Sequence, residues 1–356
     1  MPHRSLRDAT GLRLPIVQGP MTGSDTPQLA AAVSSAGGLG MLGCGMRSPE
    51  AMAQAAAAVR AATNRPFGMN LFVQEAPAPD ATTVQAARER LAPLYAEFGL
   101  QPPAPARWCE DFCAQFEALV EARPAVASFT FGILTAAQVE RLHGAGCFVI
   151  GTATTVAEAV AWAGVGADAV CASGMEAGGH RGTFLGSDAA SMIGTLALVP
   201  QCVDALSIPV VAAGGIMDGR GIAAALALGA EAVQMGTAFL ACEESGIGAA
   251  YRAALARATA TDTRTTRALT GRPARGIVNA MMERLQAHEA SVPAYPVQNA
   301  LTGPLRRAAA EAGHADYLAL WAGQGVAAAR PMAAGTLVAL LEQEWRAASK
   351  RIAASA

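Results

Sequence analysis

Short runs of apolar residues alternate along this chain with alanine-rich segments of helical spacing. The runs are PIVQG (15–19), LGML (39–42), FGMNLF (67–72), AVASFTF (125–131), CFVIG (147–151), DAVCAS (168–173), PVVAAGG (209–215) and AVQMGT (232–237). They are apolar nearly throughout rather than at every second position, which predicts strands buried on both faces, as in a parallel sheet. Between them lie TPQLAAAVSSAG (26–37), SPEAMAQAAAAVRAA (48–62), TAAQVERLHGAG (135–146), TVAEAVAWAGVGA (155–167) and DGRGIAAALALGA (218–230), all of helical pattern. Thr26 and Ser48, each followed by proline, and Asp218 are cap residues at predicted helix starts, and Gly37, Gly146 and Gly229 mark predicted ends. Eight strand–helix units predict an α/β fold, a (β/α)8 TIM barrel. The alternative is an open, doubly wound sheet. Against it, the first turn after a strand, VQGPMTGSD, lacks the G-x-G-x-x-G order of a dinucleotide-binding sheet.

Two stretches break the rhythm. Residues 73–122 begin with proline-rich loops (QEAPAPD, QPPAPARW) around helical segments, and 259–330 open with polar threonines (TATDTRTTRALTGRP) before helical and turn segments. Both follow the C-terminal end of a strand, the face on which barrels build their active sites. The expected organisation is a discontinuous barrel, 1–72 and 123–258, beneath a smaller, mainly helical substrate-covering domain from 73–122 and 259–330. Residues 331–356 are expected to form a C-terminal helix packed on the barrel.

Composition narrows the function. Of 356 residues, 52% are apolar and 15% charged, enough for a large core, and the net charge is −2. There is no basic balance or basic run, so neither nucleic acid nor a membrane surface is expected as a partner. No apolar run reaches spanning length without a charge, and the first fifteen residues lack the apolar core of a secretory signal. The seven cysteines are scattered, with Cys109 and Cys113 the one close pair. They read as small core residues in a reducing, cytoplasmic setting, and no metal site is expected.

Three features carry candidate chemistry. Gly214-Gly215 follow the seventh strand, and Gln234-Met235-Gly236-Thr237 end the eighth. Glycines admit a ligand close to the backbone, and the loops after strands seven and eight are where barrels often bind phosphate. Asn70, near the end of strand three, is an amide among apolar neighbours. It either bonds to backbone within the barrel or meets the edge of a flat heterocycle. In ASGMEAGGHRG (172–182), glycines carry the chain away from strand six to His180. Of the five histidines, His3 is terminal, His143 is in a helix, and His288 and His314 are in the late insertion, leaving His180 alone in a loop directly after a strand. An imidazole there either takes a substrate proton or serves a structural bond. No second ligand stands at zinc spacing, and no G-x-S-x-G is present.

PMTGSDTPQLAAAVSSAGGLGMLG (20–43), GMNLFV (68–73), SGMEAGGHRG (173–182), AAGGIMDGRGIAAALALGAEAVQMGT (212–237) and YPVQNALTGPLRRAAAEAGHADYLALWAGQG (295–325), in this order, resemble the nitronate monooxygenase family, bacterial class I. The resemblance implies FMN at the mouth of the barrel and oxidation of alkyl nitronates, propionate 3-nitronate especially, by O2 to a carbonyl compound and nitrite. Nitroalkanes are a further substrate class. It implies His180 as the catalytic histidine, acting as base or as anion-positioning group. Met21 and Thr22 would lie along the flavin. Asn70, Ser173 and Gly178 would meet its polar edge or ribityl chain, and Gly214, Gly215 and Gln234 to Thr237 its phosphate. Tyr295, Asn299 and Gln324 would lie near the substrate or ring. Ser173 departs from the family pattern, which has glutamine there, so its reach to the flavin is shorter. The alternative on the same barrel is an NAD(P)H-dependent flavin reductase acting on quinones or enoyl thioesters. A homodimer is the assembly left open.

Overall fold

The computed structural model describes residues 5–355. Six strands come first: β1 (Ile16–Gln18), β2 (Gly40–Gly43), β3 (Phe67–Phe72), β4 (Val126–Thr130), β5 (Phe148–Ala153) and β6 (Ala169–Ser173). A two-residue strand outside the barrel, β7 (Gly179–His180), precedes β8 (Val210–Ala213) and β9 (Ala232–Met235). The eight barrel strands pair in parallel, in chain order, from β2 round to β9 and on to β1. The circle closes between β1 and Leu39, where Gln18 N–H donates to Leu39 O and Leu39 N–H to Ile16 O, both at 2.9 Å. The chain is a (β/α)8 barrel.

Alternation along each strand divides the core in two. On β4, Val126 joins the cluster inside the barrel, while Ala127 and Phe129 join the layer between strands and helices. The inner cluster includes Val17, Met41, Ile150, Ala169, Val211 and Ala232, and Leu6 of α1 (Leu6–Thr10) belongs to it with Leu12. Toward the C-terminal ends, inward positions change character: Asn70, Ser128, Thr130, Thr152, Ser173 and Gln234 all face one cavity. The strands are apolar where they pack and polar where they end.

The outer helices are α2 (Pro27–Ala36), α3 (Pro49–Ala62), α5 (Phe112–Ala122), α6 (Ala136–Gly144), α7 (Val156–Gly164), α8 (Thr195–Ala205), α9 (Gly219–Ala227) and α14 (Ala334–Ser355). The expected caps are in place: Thr26 accepts from Leu29 N–H, Ser48 from Ala51 N–H, and Asp218 from the N–H groups of Arg220 and Gly221. Each such cap stabilises its helix by about 1 kcal/mol. Although α5 falls within residues 73–122, it packs on α3 and β3 and stands as the third helix of the ring. The C-terminal helix α14 packs against both α9 and α2 and so fills the eighth place.

Two further helices, α10 (Thr237–Leu240) and α11 (Ala249–Arg257), follow β9. The covering portion comprises α4 (Ala81–Ala96), α12 (Ala280–Leu285) and α13 (Val297–Glu311), whose Leu91, Tyr95, Met281, Leu285, Leu301 and Leu305 share a second core. Tyr95 O–H ties the two insertions by donating to Leu301 O at 2.5 Å. This unit is mainly helical, yet it also holds a sheet not foreseen from the sequence. In it, β10 (Thr263–Thr266) pairs antiparallel with β11 (Ala274–Ile277), and β11 pairs antiparallel with β7. Threonine-rich TRTT has strand propensity without an apolar alternation to announce it. No helix among the described residues is long and apolar enough to cross a membrane.

Leu6 is fully buried within the inner cluster. Leu6→Ala is expected to lower stability by about 2–5 kcal/mol. Leu196→Ser, at a residue 72% exposed, should change it by no more than about 0.5 kcal/mol. Urea unfolding of the two variants checks the contrast.

Candidate active site

A cavity of about 490 Å³ opens at the C-terminal ends of the strands. Its lining includes Met21, Thr22, Asn70, Ser173, Gly178, His180, Gly214, Gly215, Gln234, Met235, Gly236, Thr237, Tyr295 and Asn299. Of the residues expected from the sequence, Gln324 stands outside the lining. Its main-chain N–H donates to Glu176 O at 2.9 Å, and its neighbours Gly323 and Gly325 form the wall instead.

Gly214 and Gly215 follow β8 with φ +112° and +71°. These left-handed values favour glycine and turn successive N–H groups toward one side. Among the described residues, the N–H groups of Gly214, Gly215, Gly236 and Thr237 find no acceptor. Four unpartnered donors on one cavity suit an anion with several oxygens, such as a phosphate monoester. The N-terminus of α8 is already satisfied, since Thr195 N–H and Oγ1 donate to Glu176, and it offers no such place.

Nearby, Asp25 organises the loop that carries Met21 and Thr22. Its Oδ2 accepts from Met21 N–H and Gly43 N–H, both at 2.7 Å, and its Oδ1 lies 3.2 Å from Arg47. Burial outweighs these donors and raises the carboxyl to about 6. Asn70 Nδ2 donates to Ser128 Oγ at 2.9 Å and Thr130 Oγ1 at 3.3 Å. The amide is therefore braced by hydroxyls while it faces the cavity.

The loop with His180 is braced on several sides. Glu158, fully buried, accepts from Thr154 N–H, Thr154 Oγ1, Phe184 N–H and Leu185 N–H at 2.6–2.9 Å. Arg181 donates to Gly174 O at 2.7 Å and Ser191 O at 2.9 Å. A Cβ on Gly178 would meet Gly323 N at 2.5 Å, so the late segment can lie against this loop only because residue 178 has no side chain.

Around His180 stand aromatic rings and cations. Its ring centroid lies 5.5 Å from Phe131, 5.5 Å from Tyr295 and 5.3 Å from Trp321. Phe131 is left-handed at φ +79°, a conformation costing a bulky residue about 1–2 kcal/mol. It is held there by Phe72, stacked at 4.3 Å, and by the Arg272 guanidinium 4.2 Å from its centroid. Burial, then the charges of Arg272 and Arg306, push His180 down to about 3, so the imidazole is neutral near pH 7. Arg306 lines the cavity, donates to Asn299 Oδ1 at 2.6 Å and Asn299 O at 3.0 Å, and forms no ion pair among the described residues. Its Nε is shielded and unpartnered. Arg306, Arg272 and Trp321 were not singled out from the sequence, although Arg306 and Trp321 fall within the matched stretch 295–325. Among the described residues no cluster of three or more His, Cys, Asp or Glu could hold a metal ion.

The family model for nitronate monooxygenase matches residues 4–344. The chain belongs to the nitronate monooxygenase family. A probable nitronate monooxygenase of Staphylococcus saprophyticus is 42% identical over 92% of this chain and 94% of its own. One from Staphylococcus haemolyticus is also 42% identical, over 90% and 91%. Among solved structures, nitroalkane oxidase from Streptomyces ansochromogenes is 44% identical with a TM-score of 0.90, covering 98% of this chain and 99% of that one. FabK from Thermotoga maritima is 30% identical with a TM-score of 0.78, covering 99% and 98%. As a nitronate monooxygenase family member, this chain is an oxidoreductase enzyme acting on a small molecule.

Asp25 gives the site a testable pH signature. Its folded pKa of about 6 exceeds the ordinary 3.8, so the folded state binds the proton more tightly. Its contribution to stability is full below pH 3.8 and is lost as pH rises through 6. His180 has the opposite sign, because its folded value lies below 6.5. Asp25→Asn should therefore make stability rise more steeply with pH between about 4 and 6 than in the parent, measured by urea unfolding across that range.

Proposed function

We propose that this enzyme oxidises alkyl nitronates, propionate 3-nitronate among them, with FMN as cofactor and O2 as oxidant, yielding a carbonyl compound and nitrite. The observation that carries this reading is the electropositive, aromatic part of the cavity, where among the described residues Arg306 meets no acid and His180 is neutral. A small anion supplies the charge that the site lacks.

The residues present fit FMN. The unpartnered N–H groups of Gly214, Gly215, Gly236 and Thr237 would hold its phosphate. Met21, Thr22, Asn70, Ser173, Gly178, Gln234 and Met235 would line the rest of it. When bound, the flavin supplies the electron-accepting chemistry and the reaction with O2. The side chains do the remaining work. Arg306 attracts the nitronate and, with Asn299, orients it. The rings of Phe131, Tyr295 and Trp321 exclude water around it. With a neutral nitroalkane, His180 removes the α-proton; with a preformed nitronate no proton need leave, and His180 acts in positioning.

Anaerobic mixing tests the reading. Propionate 3-nitronate should bleach the yellow enzyme at once, NADH should not, and flavin released by denaturation should be FMN. The FabK likeness makes a second reading specific: rapid bleaching by NADH with no response to the nitronate would make the enzyme a reductase. Arg306→Met should raise KM for propionate 3-nitronate by about 10- to 100-fold, the equivalent of ~1.5–3 kcal/mol for a bond to a charged group, with a smaller change in kcat. His180→Asn should keep FMN and lower nitroalkane turnover by at least about 100-fold.

A further inference from the structure

We propose that Thr270 is a positioning residue that fixes which nitrogen of His180 faces the substrate. The functional consequence rests on His180 being the substrate-facing group. The hydrogen-bond arrangement does not.

His180 Nε2 lies 2.9 Å from Thr270 Oγ1, and the same Oγ1 lies 3.3 Å from the carbonyl oxygen of Arg272. A hydroxyl has one proton to donate, and a carbonyl oxygen only accepts. When Thr270 donates to Arg272 O, its oxygen is left to accept from Nε2–H. A neutral imidazole carries one N–H. Nε2 then holds it, and Nδ1 keeps its lone pair. Burial beside two arginines keeps the ring neutral, so the choice of nitrogen matters.

The reverse arrangement satisfies fewer groups. If Thr270 donated to Nε2, two oxygen lone pairs would meet at Arg272 O. The ring proton would sit on Nδ1, which has no hydrogen-bond partner among the described residues. One arrangement pairs the imidazole N–H and the threonine O–H together; the other pairs only the threonine.

Thr270 is 1% exposed, and its turn is fixed independently of the histidine. Gln298 and Thr302 of α13 donate to Ala268 O at 2.8 Å and Leu269 O at 2.7 Å. Gly271 N–H donates to Arg267 O at 2.7 Å. His180 is aligned on the same sheet, opposite Ala274. The two partners thus reach each other from the barrel loop after β6 and from the late insertion, and neither can swing freely.

The consequence is a base at Nδ1. The α-C–H bond of a neutral nitroalkane breaks, its proton goes to Nδ1, and the electron pair stays in the nitronate. The products are an imidazolium, with Nε2–H still donating to Thr270, and the nitronate anion beside it. A substrate that arrives as nitronate makes no use of this step.

Two measurements test the assignment. In 15N spectra of the FMN-loaded enzyme labelled at histidine, with His180→Asn used to assign the signal, Nε2 should be protonated and Nδ1 not. A proton on Nδ1 overturns the proposal whatever the activity. In Thr270→Val the ratio of nitroethane to ethylnitronate turnover should fall about 10- to 100-fold, part of the contribution of a positioned base, and Thr270→Ser should restore it. Equal losses on both substrates, or no change in the ratio, overturn it. Failure of the parent enzyme to be bleached by ethylnitronate would instead sink the nitronate reading, leaving the spectrum to judge the tautomer.

Discussion

The pairing of Gly179 and His180 with Arg275 and Ala274 is the joint on which the site depends. It is only two residues long on the barrel side, yet it fastens the loop after β6 to the sheet of the covering unit. Without it, His180 would sit on a glycine-rich turn with no fixed direction. With it, the histidine gains a register against β11, and through β11 a fixed relation to Thr270, Arg272 and α13. Glu158, Arg181 and Glu176 brace the same loop from below. The reach of the barrel loop and the rigidity of the insertion are thus combined at one imidazole.

The electrostatics follow from that joint. Arg272 approaches Phe131 and donates to Arg181 O at 3.0 Å, while Arg306 comes from α13 and rests on Asn299. Two guanidinium groups from the covering unit therefore converge on a neutral imidazole, and among the described residues Arg306 has no acid to balance it. A half-buried cation in this state is stabilised when an anion visits. Phe131, held left-handed at the end of β4, and Tyr295 set the aromatic walls of that space. The phosphate-type donors after β8 and β9 come from the barrel alone. The cavity is thus walled from two sources: the strand ends carry the unpartnered main-chain donors, and the late insertion carries the aromatic rings and Arg306.

Much of this was legible in the residues. The eight strands and the five helices read from spacing are present, because buried parallel strands and capped helices leave strong local signals. Capping residues such as Thr26 and Asp218 announce themselves within four positions. Gly214-Gly215 announced a close backbone approach for a similar reason: a left-handed pair has few other residues to use. What sequence spacing could not show was anything made by distant partners. The strand β7 has two residues and no periodicity. The role of α5 as a barrel helix depends on its packing against α3, and nothing in FCAQFEALVEA distinguishes that from a lid helix. Arg306 is one of two adjacent arginines on α13, and its exceptional state is visible only in the missing acid. Gln324 stands outside the cavity lining, and its contact with Glu176 runs through its main-chain N–H, which the residue type does not announce.

The division between barrel and covering unit also bears on how the molecule is made. Synthesis runs from the N-terminus, and domains fold as they emerge. When Thr237 has left the ribosome, all eight barrel strands exist, and so do the glycine turn after β8 and the four bare donors. Tyr295, Arg306 and Trp321 do not yet exist, nor does α14, whose Leu337 and Leu341 are fully buried in the core shared with Leu29 and Val33 of α2. The nascent barrel therefore carries an uncovered apolar stripe on α2 and an open mouth until the last fifth of the chain arrives. The cavity wall gains Tyr295, Arg306 and Trp321 before α14 emerges, so a chain stopped short of α14 keeps these residues while the apolar stripe of α2 stays uncovered.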